Sequence, residues 1–125
     1  MTQSSTGWHE PVEVIKPQTR DRHRAIVSLM EEFEAVDWYD QRVDATADEE
    51  LRAILAHNRD EEKEHAAILL EWLRRRDPAF ERHLRDWLFT DAPILERAAD
   101  AENAAATGAL GDGSLGIGDL RERRT

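Results

Sequence analysis

The sequence predicts an all-α protein: an antiparallel two-helix hairpin and a short third helix, with two copies associating into a four-helix bundle. Three observations support this. Pro17 and Thr19 open a segment that stays free of Gly and Pro to Asp44, while five of the six glycines fall between Gly108 and Gly118. Apolar residues recur at alternating spacings of four and three, which marks a stripe along one helix face. No run of alternating apolar residues bounded by turn residues supports a strand.

Taken in order, residues 1–15 read as a flexible N-terminal segment, 16–106 as the helical domain and 107–125 as a flexible Gly-rich tail. The first helix carries the seam Ala25, Leu29, Glu32, Val36, Tyr39 and Val43. Thr46 and Glu49 fit a capping box that starts the second helix at about Ala47. Its seam is Leu51, Leu55, Asn58, Glu62, His65, Leu69 and Trp72, and it ends at Arg74, Arg75 and Arg76, which suit a helix C-terminus. Asp77-Pro78 caps a third helix through about Phe89, and the Ala-rich stretch after Pro93 is a candidate for one more. A helix of about 28 residues is about 40 Å long. A hairpin of two such helices cannot bury both apolar stripes alone, and a two-fold dimer is the simplest remedy.

Composition narrows the function. The chain has 125 residues, a formal net charge of -10 and no cysteine, which excludes disulfides, thiolate metal sites and a thiol nucleophile. Residues 31–64 hold thirteen acids against four bases, a net -9. Such a chain suits cations and is a poor partner for nucleic acid or anionic lipid. No apolar run of about 18 residues spans a membrane, and no secretory signal is visible, so the expected location is the cytoplasm.

The seams contain polar residues where a core is expected. Glu32 lies within about 60° of Leu29 on the first helix, so it cannot simply rotate to solvent. An unpaired carboxylate there is costly, and a bound cation offsets that cost. Glu62 and His65 form Glu-x-x-His, which stacks carboxylate and imidazole on one helix face, a donor set suited to Fe, Mn or Zn. Di-iron carboxylate bundles take one Glu from each of two helices and one Glu-x-x-His from each of the other two. This chain supplies one of each, hence half a di-metal site, and a two-fold axis supplies the rest. Four glutamates and two divalent metals sum to zero charge. The competing structural reading makes His65 a satisfied core residue and pairs Glu62 with an arginine such as Arg59 or with a base on another chain.

Other residues admit two readings. Glu31, Glu34 and Trp38 share the outer face of the first helix, either as a solvated acidic face or as a place where cations are drawn in. His57, Glu61 and Glu64 lie beside the second seam, as an exposed charged flank or a weaker second metal site. Tyr39, the only tyrosine, sits two turns from Glu32, as a hydrogen-bond donor toward the ligands or as core. Trp72 and Trp87 read as packing residues. His23 and His83 have no partner that the sequence identifies.

The strings RHRAIVSLMEEFEAVDWYDQRVDA, LRAILAHNRDEEKEHAAILLEWLRR and HLRDWLF, over roughly residues 10–90, resemble the encapsulated ferritins of bacterial encapsulin compartments. The resemblance implies a half-ferritin that dimerises head to head into a ferritin-like bundle, with the dimers forming an open ring, a pentamer of dimers. By the same resemblance Glu32, Glu62 and His65 are ferroxidase ligands of a di-iron pair shared between two subunits. Glu31, Glu34 and Trp38 match the positions where metal enters, Tyr39 a position beside the ligands, and His57, Glu61 and Glu64 an accessory metal position.

The tail segment GSLGIGDLRER, residues 113–123, is similar to cargo-loading peptides that dock on the encapsulin shell protein, with Leu115, Ile117 and Leu120 as anchors. Several such weak tethers on one ring gain by multivalency. The function the resemblance implies is a ferroxidase that oxidises Fe2+ to Fe3+ with dioxygen, feeding iron storage and mineralisation inside an encapsulin nanocompartment. Two alternatives are a non-catalytic helical adaptor and a di-metal bundle that handles peroxide, as in rubrerythrins or manganese catalases. With one Glu-x-x-His and no second helix pair, this chain cannot build a hollow storage shell by itself.

Overall fold

A computed structural model of the chain describes residues 7–96. It is all-α, as the seams and the glycine distribution predict. A one-turn 3-10 helix, Val12–Val14, precedes α1 (Pro17–Ala45), α2 (Glu49–Arg76) and α3 (Pro78–Trp87). No helix among the described residues is long and apolar enough to cross a membrane. The backbone at 94–96 is helical, with Glu96 N–H donating to the Pro93 carbonyl at 3.1 Å. The rest of the Ala-rich stretch and the tail, including residues 113–123, lie outside the described residues.

The long helices pack as an antiparallel hairpin within a compact unit that runs through Leu73. Pro17 opens α1 because its ring pre-sets the helical φ at a position where the N–H has no intrahelical acceptor. Ahead of it, Arg20 Nη2 donates to the Val12 carbonyl at 2.6 Å, and Trp8 stacks on His23 with ring centroids 4.1 Å apart. These contacts supply the partner for His23 that the sequence does not reveal.

The hairpin turn differs in detail from the expected capping box. Thr46 caps the C-terminus of α1, its N–H reaching the Arg42 carbonyl at 3.1 Å. Asp48 is the residue that caps α2, its carboxylate accepting from Leu51 N–H at 3.0 Å. α2 therefore begins at Glu49 rather than at Ala47. Thr46 Oγ1 instead accepts from Asp48 N–H, at 3.2 Å. Arg52 closes the turn: its guanidinium donates to the Val43 carbonyl at 3.1 Å and to the Thr46 carbonyl, and it pairs with Glu49. One arginine thus satisfies two carbonyls that α1 leaves without intrahelical donors.

The core is thin. Ala25, Ala66 and Leu73 are the buried apolar residues among those described. The α1 seam residues Leu29, Glu32, Val36, Tyr39 and Val43 are all half-buried, as are Leu55, Asn58, Glu62, Leu69 and Trp72 of the α2 seam. Leu51 and His65 are more open. Large apolar side chains remain exposed on both helices, including Ile26, Met30 and Phe33 on α1 and Ile54 and Ile68 on α2.

A second compact unit begins at Arg74 and contains α3. Asp77 caps α3 by accepting from Phe80 N–H at 3.0 Å, and Pro78 follows at the first helical position. Glu81 takes hydrogen bonds from Arg74 at 2.8 Å and from Arg85 at 2.9 Å. α3 ends at Trp87, two residues before the expected Phe89. Phe89 itself has a φ of 58°, outside the right-handed helical region.

Candidate metal centre

Glu32 from the middle of α1 meets Glu62 and His65 from the middle of α2. The hairpin makes this meeting inevitable once the seams face each other: the three polar residues occupy matching depths of two antiparallel stripes. His65 Nδ1 lies 3.6 Å from a Glu32 oxygen and 3.4 Å from a Glu62 oxygen. One donor atom from each residue lies within 4.8 Å of the other two, the one such set of three among the described residues. Two donors at about 2.0–2.2 Å from one divalent ion are about 3 Å apart when adjacent and about 4.2 Å when opposed. The two separations from His65 fall between those values.

The electrostatics favour a cation. The Glu32 carboxyl is held above its ordinary pKa, first by the hydrogen bond it shares with Glu62, then by burial and by the Glu62 charge, while His65 acts in the opposite sense. Among the described residues, two carboxylates thus face each other with a half-exposed imidazole as their one opposing partner. The side chains of Glu32 and Glu62 are 23% and 24% exposed against 49% for His65, so the cluster opens on the His65 side. Among the described residues no arginine enters this group. Arg59, the candidate partner for Glu62 in the competing reading, instead donates to Asp40 across the hairpin at 3.0 Å and to Asp60 at 3.2 Å. The Asp40 bond, followed by that to Asp60, raises the guanidinium pKa above its usual value.

The remaining candidates are placed as follows. Tyr39 is half-buried in the α1 seam, and the Arg42 guanidinium sits 5.6 Å from its ring centroid and 6.0 Å from that of Trp38. Those distances are within cation–π range, a role for Arg42 with no signal in the seam pattern. Glu31, Glu34 and Trp38 are exposed together on the outer face of α1. His57 and Glu61 approach to 3.8 Å one turn apart on α2, and Glu64 does not join them in a three-donor group.

Residues 7–91 match the model of the EncFtn-like family. The chain is 62% identical over 129 aligned residues to an encapsulated ferritin-like protein of Rhodospirillum rubrum, covering 97% of this chain and 92% of that one. It is 53% identical over 113 residues to a ferritin-like protein of Thermotoga maritima, covering 90% and 96%. An encapsulin nanocompartment cargo protein, EncC of Myxococcus xanthus, is 38% identical over 60 residues, 48% of this chain and 46% of that protein. Among solved structures, the crystal structure of protein ne0167 from Nitrosomonas europaea superposes with a TM-score of 0.69 at 66% identity, covering 70% of this chain and 97% of that one.

Proposed function

The chain belongs to the EncFtn-like family, and from that premise we propose that it is a ferroxidase, oxidising Fe2+ to Fe3+ with dioxygen at a site completed by a second copy. The observation that carries this reading is the Glu32–Glu62–His65 set, three donors with the chemistry and spacing for a divalent ion. Two carboxylates per chain bind the harder Fe3+ more strongly than Fe2+, which favours oxidation, while the imidazole fixes one direction of approach. Each Fe2+ gives up one electron, so two of them reduce one dioxygen, which takes two protons from solvent and leaves as hydrogen peroxide.

One chain offers three protein donors, too few to enclose two ions. A two-fold partner doubles the set and balances four carboxylates against two divalent ions. Ile54 and Ile68 support that association. They are exposed, and at about 100° per residue they lie within about 60° of His65 around α2, flanking the open side of the cluster. In the assembled protein, a pentamer of dimers on the family resemblance, Glu31, Glu34 and Trp38 would draw Fe2+ in. His57, Glu61 and Glu64 would hold ions in passage, and Tyr39 would order the ligands. Residues 113–123 would tether the ring inside an encapsulin nanocompartment, where oxidised iron is stored as mineral.

Anaerobic Fe2+ titration followed by air, read by near-UV absorbance and native mass on wild type and Glu32→Ala, tests the proposal. It expects saturation at about one iron per chain and oxidation on exposure to air, with both lost in the variant. Equal oxidation in the variant, or no stoichiometric uptake by wild type, would leave a non-catalytic adaptor as the better description.

A further inference from the structure

We propose that Asp40 is a positioning residue for the metal cluster: by holding the Arg59 guanidinium against α1 it keeps that cation away from Glu62. The inference rests on reading Glu32, Glu62 and His65 as metal ligands, and goes beyond it by assigning work to two residues outside the ligand set.

Arg59 stands three residues before Glu62 on α2, the spacing at which helical side chains are neighbours. A guanidinium in that place can form a forked pair with the carboxylate, occupying its lone pairs and cancelling its charge. An arginine so placed would compete directly with a metal ion. In the hairpin Arg59 is turned elsewhere: Nη1 meets Asp40 Oδ1 at 3.0 Å across the helix pair, and Nε meets Asp60 Oδ1 at 3.2 Å. The Arg59 side chain is 23% exposed, so it is held rather than waving in solvent. Lys63, the other cation within a turn of Glu62, is engaged in a similar way, 3.4 Å from Asp60.

Direction around the helices makes the arrangement effective. Asp40 is eight residues beyond Glu32, which puts it about 80° around α1 and about 12 Å along it. The clasp and the cluster thus occupy different flanks of one seam. An open ion pair of this kind contributes little to stability by itself. Its larger effect is on which cation the acidic cluster receives.

The test uses the full chain and Co2+, whose visible absorption reports ligation without redox chemistry. Asp40→Ala should weaken Co2+ binding by about five- to tenfold, as Arg59 swings to Glu62. Asp40→Ala combined with Arg59→Gln should return affinity to within about twofold of wild type. Arg59→Gln alone should bind as tightly as wild type or more so, and Asp40→Glu should retain most of the affinity. Equal weakening in Asp40→Ala and in the double variant would make the clasp a structural strut and overturn the proposal. So would a loss of affinity in Arg59→Gln alone, even if Asp40→Ala fails to fold. Unchanged binding in a folded Asp40→Ala overturns this inference and leaves the metal reading standing. Failure of wild type to bind Co2+ overturns both.

Discussion

Glu32→Gln should make the metal-free protein more stable and the metal-loaded protein less so. The carboxylates of Glu32 and Glu62 offer donor atoms no more than 4.8 Å apart. Two full negative charges at that distance repel by about 0.9 kcal/mol in bulk water and by about 3.5 kcal/mol at an effective dielectric of 20. The cluster is open on one side and His65 offsets part of the repulsion, so the lower figure applies. A gain of about 1 kcal/mol raises the melting temperature of a domain of this size by about 4–8 °C.

The sign with pH follows from the raised Glu32 pKa. Its folded form holds a proton more tightly than the unfolded chain does, so ionising it costs stability as pH rises from its ordinary value near 4.5 through the raised one. The advantage of Gln should therefore be present at pH 7 and vanish below the ordinary value. With metal at 100 times its dissociation constant, wild type gains about 2.7 kcal/mol, whereas a variant bound 100-fold more weakly gains about 0.4 kcal/mol. Thermal melts followed at 222 nm, with and without Co2+, should show the order of the two proteins reversing. A variant less stable than wild type by the same amount at pH 4 and pH 7 would refute the repulsion argument. An undiminished metal shift would remove Glu32 from the ligand set.

Three other outcomes are expected. Metal should favour association, so Co2+ should raise the dimer or ring population in native mass spectra; saturated binding with no change in mass would refute a site shared between chains. Arg52→Ala should cost about 1–2 kcal/mol in urea unfolding, because it strips donors from the Val43 and Thr46 carbonyls. Deleting residues 107–125 should abolish co-purification with a co-expressed encapsulin shell while leaving Co2+ affinity unchanged; retained capture would place the docking determinant elsewhere.

Much of the hairpin and the three-residue cluster is legible in the sequence because both depend on periodicity. Leu29, Val36 and Val43 fix which face of α1 turns inward, and Glu32 comes with them. The same holds for Glu62 between Leu55 and Leu69. Boundaries are harder, because several residues compete for one cap: Thr46, Asp48 and Glu49 all carry capping oxygens, and Asp48 wins through its bond to Leu51 N–H. Long-range charge pairing leaves no local trace at all. Arg59 has Asp60, Glu62 and Lys63 as near neighbours, yet its cross-hairpin partner is Asp40, nineteen positions away. Trp8 and His23 are likewise joined only by the return of the N-terminal segment onto α1.

The thin core has a consequence for where such a chain can persist. With Ala25, Ala66 and Leu73 as its buried apolar residues among those described, a lone hairpin removes little apolar surface from water. For the proposed dimer, the folded population would then be tied to how many copies share its surroundings, since each tenfold dilution costs a dimer about 1.4 kcal/mol of association free energy. Confinement in a small closed volume works against dilution. If the chain is packaged as proposed, copies enclosed together would stay crowded however scarce the protein is outside, and copies left outside would face subunit loss and proteolysis. Packaging would then act as a selective preservative, deciding which copies survive as well as where they work.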